Sequence, residues 1–194
     1  MENLIACLVC GSTDLTKELT CKDFVATGHT FDLHRCSNCS FLFTNPRPAI
    51  AEIGPYYQSD RYVSHAGDKA NLPFMYTVYD VVRDYSIKQK LKLIKSYHKQ
   101  GKLMDLGCGL GYFLEGAVND KSFESIGVDV SDEAIEYVHQ KFGYTVLNEN
   151  QLDSLPEHEY DVITQWHVLE HVHKLNERMQ QLHRLSILIT LLFT

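Results

Sequence analysis

Two acids and three glycines at fixed spacing are the first residues of this 194-residue chain that could hold a ligand. Leu103-Met104-Asp105-Leu106 runs apolar into Gly107-Cys108-Gly109-Leu110-Gly111, and Val128-Asp129-Val130 follows, with Asp129 eighteen residues past Gly111. Glycines let a backbone turn sharply and approach a bound group, and an acid ending the next strand accepts ribose hydroxyls. The spacing is G-x-G-x-G, with Tyr112 where a dinucleotide turn has its third glycine. Asp105 stands just before the turn, where its charge repels a pyrophosphate and attracts a cation. The pattern fits a nucleoside ligand that carries positive charge and no phosphate.

A second set of residues points to a metal. Cys7, Cys10, Cys36 and Cys39 form the pattern C-x2-C-x25-C-x2-C. Two such hooks each aim two thiolates at one point, which is the ligand set of a tetrahedral zinc site. Four thiolates leave no open coordination position, so the expected zinc is structural, holding together a module too small for a core of its own. Strand-like pieces at Asp23–Val25 and Thr30–Leu33 suit a zinc ribbon. Cys21 and Cys108 fall outside the pattern, and Cys108 is read as a small packing residue inside the glycine turn.

A third stretch completes an ordered set. Tyr160-Asp161-Val162-Ile163 leads into Gln165-Trp166-His167-Val168-Leu169-Glu170-His171-Val172. With the D-L-G-C-G-x-G turn at 105–111 and Asp129, this resembles the class I S-adenosylmethionine-dependent methyltransferases of the small-molecule branch, over roughly residues 80–185. The resemblance implies S-adenosyl-L-methionine as cofactor, held by Asp105, Gly107, Cys108, Gly109, Gly111, Asp129, Val130, Asn150 and Gln165. It implies methyl transfer to a small-molecule acceptor, a hydroxyl above all; the alternative is a non-catalytic S-adenosylmethionine-binding or scaffold remnant. A hydroxyl acceptor calls for a base, and His167 and His171 are the candidates, because imidazole takes a proton near neutral pH. The same residues spell H-x-x-E-H, a metalloprotease pattern that on a helix puts both histidines on one face. The parallel-strand context and the methyl-donor turn argue against that use.

The elements that must position these groups follow from periodicity. Val78, Val82, Tyr85, Leu91, Ile94 and Tyr97 predict a helix over about 78–99, and a strand follows Gly101. A helix over 113–118, a strand over 125–130, and a helix over 132–142 capped by Ser131 and ended by Gly143 come next. Strands are expected over 144–147 and 161–165, then a helix containing 169–184. The fold class is α/β: a doubly wound, Rossmann-like methyltransferase sheet preceded by a small zinc ribbon. The organisation is a zinc-ribbon module over 1–48, an aromatic connector or pocket lid over 49–77 (Tyr56, Tyr57, Tyr62, Phe74, Tyr76), and the methyltransferase domain over 78–194. The family has seven strands, so the sheet is expected to be incomplete at its C-terminal end, with 187–193 as a fifth strand. An uncovered edge of that kind invites a homo-oligomer.

Bulk properties narrow the rest. The net charge of −7 argues against nucleic acid as a partner. Residues 61–100 are locally basic, with Lys88, Lys90, Lys92, Lys95 and Lys99 read as one solvated helix face. No leader pattern opens the chain and no apolar run reaches the length of a membrane span, so no membrane partner and a cytoplasmic location are expected.

Overall fold

The computed structural model describes residues 1–24, 27–57, 73–187 and 191–193, with backbone alone at 55, 57, 73–77 and 191–193. The chain divides into two compact units, Met1–Thr77 and Val78–Thr194.

In the first unit, β1 (Leu15–Lys22), β2 (Thr30–Cys36) and β3 (Leu42–Thr44) form an antiparallel sheet in that order. The pairing runs from Leu15 opposite Cys36 to Lys22 opposite Thr30. The strand expected at Asp23–Val25 therefore lies earlier in the chain. The physical reason is Asp23 itself, whose Oδ2 accepts from both Thr27 N and Thr27 Oγ1 at 2.7 Å. Such a side-chain-to-backbone bond closes a loop and competes with strand pairing. Val25 lies outside the described residues. After a turn of 3-10 helix at Ile50–Glu52 comes the short α1 (Gly54–Tyr57). Of the aromatic connector, Tyr62 lies outside the described residues, and Tyr57, Phe74 and Tyr76 are described in their backbone only.

The second unit is built on a parallel sheet. Its strands are β4 (Gly101–Leu106), β5 (Phe123–Asp129), β6 (Val146–Asn148), β7 (Val162–Gln165) and β8 (Leu191–Phe193), in the spatial order β6-β5-β4-β7-β8. Its helices are α2 (Pro73–Tyr97), which belongs to this unit from Val78 onward, α3 (Tyr112–Asp120), α4 (Asp132–Phe142) and α5 (Leu175–Leu185). Leu103 and Met104 of β4, and Val162 and Ile163 of β7, are consecutive buried apolar residues because both faces of the sheet are covered. Successive side chains point to opposite faces, and the core divides accordingly. Leu103, Val162 and Trp166 pack with Leu91 and Ile94 of α2 and with Phe113 and Ala117 of α3. Met104, Leu106, Val128 and Ile163 pack with Leu182 and Leu185 of α5. The architecture is the doubly wound, Rossmann-like α/β sheet that the spacing predicts, with the antiparallel cysteine-bearing sheet before it. The fifth strand forms at Leu191–Phe193, paired parallel to β7.

The start of α4 follows its local code closely. Ser131 Oγ accepts from Ala134 N at 3.2 Å, Asp132 and Glu133 occupy the first turn, and Gly143 ends the helix in the left-handed region. The expected helix over 169–184 departs from prediction. A single 3-10 turn at Leu169–His171 comes first, Val172 is extended, and α5 starts only at Leu175.

Candidate functional site

The carboxyl ends of β4, β5 and β7 converge where strand order reverses about β4, the place where open α/β sheets bind ligands. Here the glycine turn is pinned to β5: Gly107 N and Cys108 N both donate to Val128 O, at 2.7 and 3.1 Å. Gly109 N donates to Asp129 Oδ2 at 2.7 Å, and Ser131 N to Asp129 Oδ1 at 3.0 Å. Asp129 thus braces the turn and the start of α4 at once. Each carboxylate oxygen keeps a lone pair for a further donor.

Two glycines carry the turn for different reasons. Gly111 has φ +75°, and a Cβ there would lie 2.8 Å from Val138 Cγ2, so it lets α3 and α4 approach. Gly109 has φ +51°, and a Cβ there would meet no described atom within 4 Å. That open side is where a ligand can lie against bare backbone. Val130, by contrast, is a 69% exposed apolar residue beside Asp129.

Asp105 is buried and sits in register opposite Thr164, whose Oγ1 donates to Asp105 Oδ1 at 2.8 Å. Burial pushes the Asp105 carboxyl up to about 7; the Thr164 hydroxyl and the Lys90 charge oppose the shift and Asp129 adds to it. Burial also raises the Cys108 thiol, with Asp105 and Asp129 adding to the effect, so Cys108 is a neutral packing residue. Gln165 ends β7 and Trp166 lies just past it, both buried. Neither end of the Gln165 amide, nor the Trp166 indole N–H, has a hydrogen-bond partner among the described residues. Buried polar groups are normally paired, so these point to a ligand that supplies partners. Asn150 lies in a 3-10 turn (Glu149–Ser154), exposed, with its N–H on Asn148 Oδ1 at 3.1 Å.

The histidines do not form the helical pair that H-x-x-E-H predicts. His167 has φ +60°, a left-handed conformation just past β7, and its side chain is 73% exposed. Its Nδ1 lies 3.6 Å from Glu170 Oε1, while His171 belongs to the short 3-10 turn. Residues four apart share a face only on a continuous α-helix, which this segment is not. The grouping of metal-ligating side chains among the described residues is the cysteine set alone.

That set is compact. The Sγ atoms of Cys7, Cys10, Cys36 and Cys39 all lie within 4.8 Å of one another, with Cys7–Cys39 and Cys10–Cys36 at 3.5 Å. A tetrahedral zinc with bonds of about 2.3 Å sets its sulfurs about 3.8 Å apart, so the four thiols fit that ion. Both hooks close alike. Gly11 N donates to Cys7 O at 3.0 Å and Ser40 N to Cys36 O at 2.9 Å, with Gly11 and Ser40 both left-handed. A side-chain hydrogen bond with Asn38, aided by the Ser12 backbone, draws the Cys10 thiol down to about 6.

The lysines of α2 are not one solvated face. Lys90 places its Nζ 4.2 Å from the Trp166 ring centroid, and Lys95 Nζ pairs with Asp120 at 2.6 Å. Thr164 and Lys90 are the site residues that sequence reasoning passes over. A threonine inside an apolar strand and a lysine among apolar helix positions were the available signals.

A family profile described as a methyltransferase domain matches residues 79–187, more than half of the chain. The chain belongs to the methyltransferase-domain family. No curated protein matches it. Among solved structures it is similar to a SAM-dependent methyltransferase from Archaeoglobus fulgidus, at 27% identity and TM-score 0.46, over 54% of this chain and 48% of that one. It is also similar to the PH0226 protein of Pyrococcus horikoshii OT3, at 23% identity and TM-score 0.47, over 53% and 49%. A third is the plantazolicin methyltransferase BpumL in complex with SAH, at 23% identity and TM-score 0.46, over 65% and 48%. The chain spans about half the length of these solved structures. Among the described residues no helix is long and apolar enough to cross a membrane.

Proposed function

We propose that the second unit binds S-adenosyl-L-methionine and transfers its methyl group to a hydroxyl of a small-molecule acceptor. The observation that carries this is the pair of buried carboxylates, Asp105 and Asp129, on adjacent strands beside a turn whose Gly109 face is open. Membership of the methyltransferase-domain family supports the same assignment. When bound, the cofactor supplies an electrophilic methyl on a sulfonium.

The chain's own residues then have distinct tasks. Asp105 receives the cationic amino group, and Asp129 receives ribose hydroxyls through its remaining lone pairs. Gly107, Cys108, Gly109 and Gly111 form the turn around the ligand, with Gly109 offering it bare backbone, and Val130, Asn150 and Gln165 line its nucleoside end. His167 takes the acceptor's proton, with the Glu170 carboxylate 3.6 Å from its imidazole, and His171 is the second candidate. The strained backbone of His167 supports that role, since left-handed non-glycine residues persist where the surrounding fold over-determines them. In the first unit, the four cysteines hold a structural zinc.

The deciding experiment is isothermal titration of S-adenosylhomocysteine into the zinc-loaded chain, with Asp129→Asn beside it. Asparagine keeps an acceptor for the turn and loses the charge, so it tests the ribose contact with less damage than alanine. Micromolar binding weakened at least tenfold in the variant supports the assignment. A folded chain that binds nothing refutes it.

A further inference from the structure

Two cations of α2 reach the carboxyl end of the sheet: Arg83 lies over the Tyr112 ring at 4.2 Å, and Lys90 over Trp166 at the same distance, on the face that holds Asp105. Leu103 and Asp105 alternate on β4, and Val162, Thr164 and Trp166 alternate along β7 and just beyond it, so all five lie on the sheet face covered by α2 and α3. Trp166 is itself fixed there, edge-on to Phe113 with ring centroids 5.4 Å apart. Lys90 lays its ammonium over that indole at 4.2 Å, on the face that holds Asp105. Its helix neighbour Leu91 is buried in the same cluster. An aromatic face attracts a cation most when water is excluded, so the ring holds the ammonium in place.

We propose that Lys90 is a positioning residue of this pocket: held over Trp166, its ammonium is the resident counter-ion that favours the charged form of Asp105, the form that receives a cationic group. The place of Lys90 over Trp166, on the sheet face that holds Asp105, belongs to the ligand-free fold, and only its purpose rests on the assignment of Asp105 made above. The electrostatics run the same way. Burial lowers the Lys90 ammonium from the lysine range while Asp105 opposes that shift, and Lys90 in turn opposes the rise at Asp105. The groups that act on Asp105 are Lys90 from α2, Asp129 from β5 and Thr164 from β7, and Cys108 in the turn feels its charge in return. Without Lys90 a buried acid beside a second acid takes up a proton, and a neutral carboxyl no longer attracts an ammonium.

The test is the titration of Asp105 itself, followed by carboxyl-carbon NMR on the full zinc-loaded chain and assigned with Asp105→Asn. Lys90→Met is expected to move the Asp105 midpoint upward by about one pH unit, a tenfold gain in proton affinity. Lys90→Arg returns the midpoint toward wild type, because arginine keeps the charge and the ring contact. Asp129→Asn moves it downward. The affinity for S-adenosylhomocysteine, which tightens as Asp105 ionises, shifts its pH profile by the same interval in Lys90→Met. An unchanged midpoint in Lys90→Met overturns the proposal, and so does a shift that arginine fails to reverse. If wild type binds no S-adenosylhomocysteine, the cofactor assignment fails, while the carboxyl midpoint still decides the role of Lys90.

Discussion

Replacing Asp105 by asparagine should make this protein more stable and poorer at binding. The carboxyl moves from an ordinary 3.8 to about 7 on folding, because it leaves water for a buried site. A rise of about three units corresponds to about 4 kcal/mol at 1.36 kcal/mol per unit. The sign follows from which state ionises first. Well below pH 3.8 the carboxyl is neutral in both states and contributes nothing. As pH rises, the unfolded chain ionises while the folded one cannot, so stability falls until about pH 7 and is then level. Asparagine accepts the Thr164 hydroxyl and carries no charge, so Asp105→Asn escapes that loss. The gap between variant and wild type should widen by about 2 kcal/mol between about pH 5.5 and pH 8. The assay is urea unfolding followed by tryptophan emission, since Trp166 is the only tryptophan and lies in the second unit. A gap of one size at both pH values, or a variant less stable than wild type at pH 8, refutes the reasoning. Affinity for S-adenosylhomocysteine should fall in the same variant, the usual opposition between stability and a charged site.

Four further outcomes are expected. Gly109→Ala should lower stability by only about 1–2 kcal/mol, the left-handed cost, yet abolish S-adenosylhomocysteine binding, because its Cβ enters the open side of the turn. Gly111→Ala should cost more in thermal unfolding, since its Cβ meets Val138 as well; equal costs would contradict the division of labour between the two glycines. Ser131→Ala should lower stability by about 1 kcal/mol through loss of the cap on Ala134 N, read in the same urea experiment. Metal analysis should find one zinc per chain, and Cys36→Ser should lose it and melt the β1–β3 sheet; a variant that keeps its β-sheet amide signals would show that the sheet does not need the metal.

Much of this protein was legible from residues alone because its signals are local. The cap at Ser131 and the stop at Gly143 depend on a few adjacent atoms, and α4 forms over the predicted 132–142. The two cysteine hooks are likewise set by short turns, and the consecutive apolar residues of β4 and β7 declare a sheet covered on both sides. The spacing from the glycine turn to Asp129 already implied that strand, turn and acid meet.

Pairing and solvation across distant segments were decided only by the tertiary structure. Thr164 stands opposite Asp105 through the parallel register of β4 and β7, strands 56 residues apart between Leu106 and Val162. The bond of Asp129 to the Gly109 N–H exists because the turn folds back over the end of β5. H-x-x-E-H looked like a helix face, yet the chain leaves β7 through a left-handed His167 and forms only one 3-10 turn before α5. Lys90 belongs by sequence to a run of surface lysines. It becomes part of the site because α2 packs on the same face of the sheet as Trp166, and no periodicity within one helix records what lies across the core.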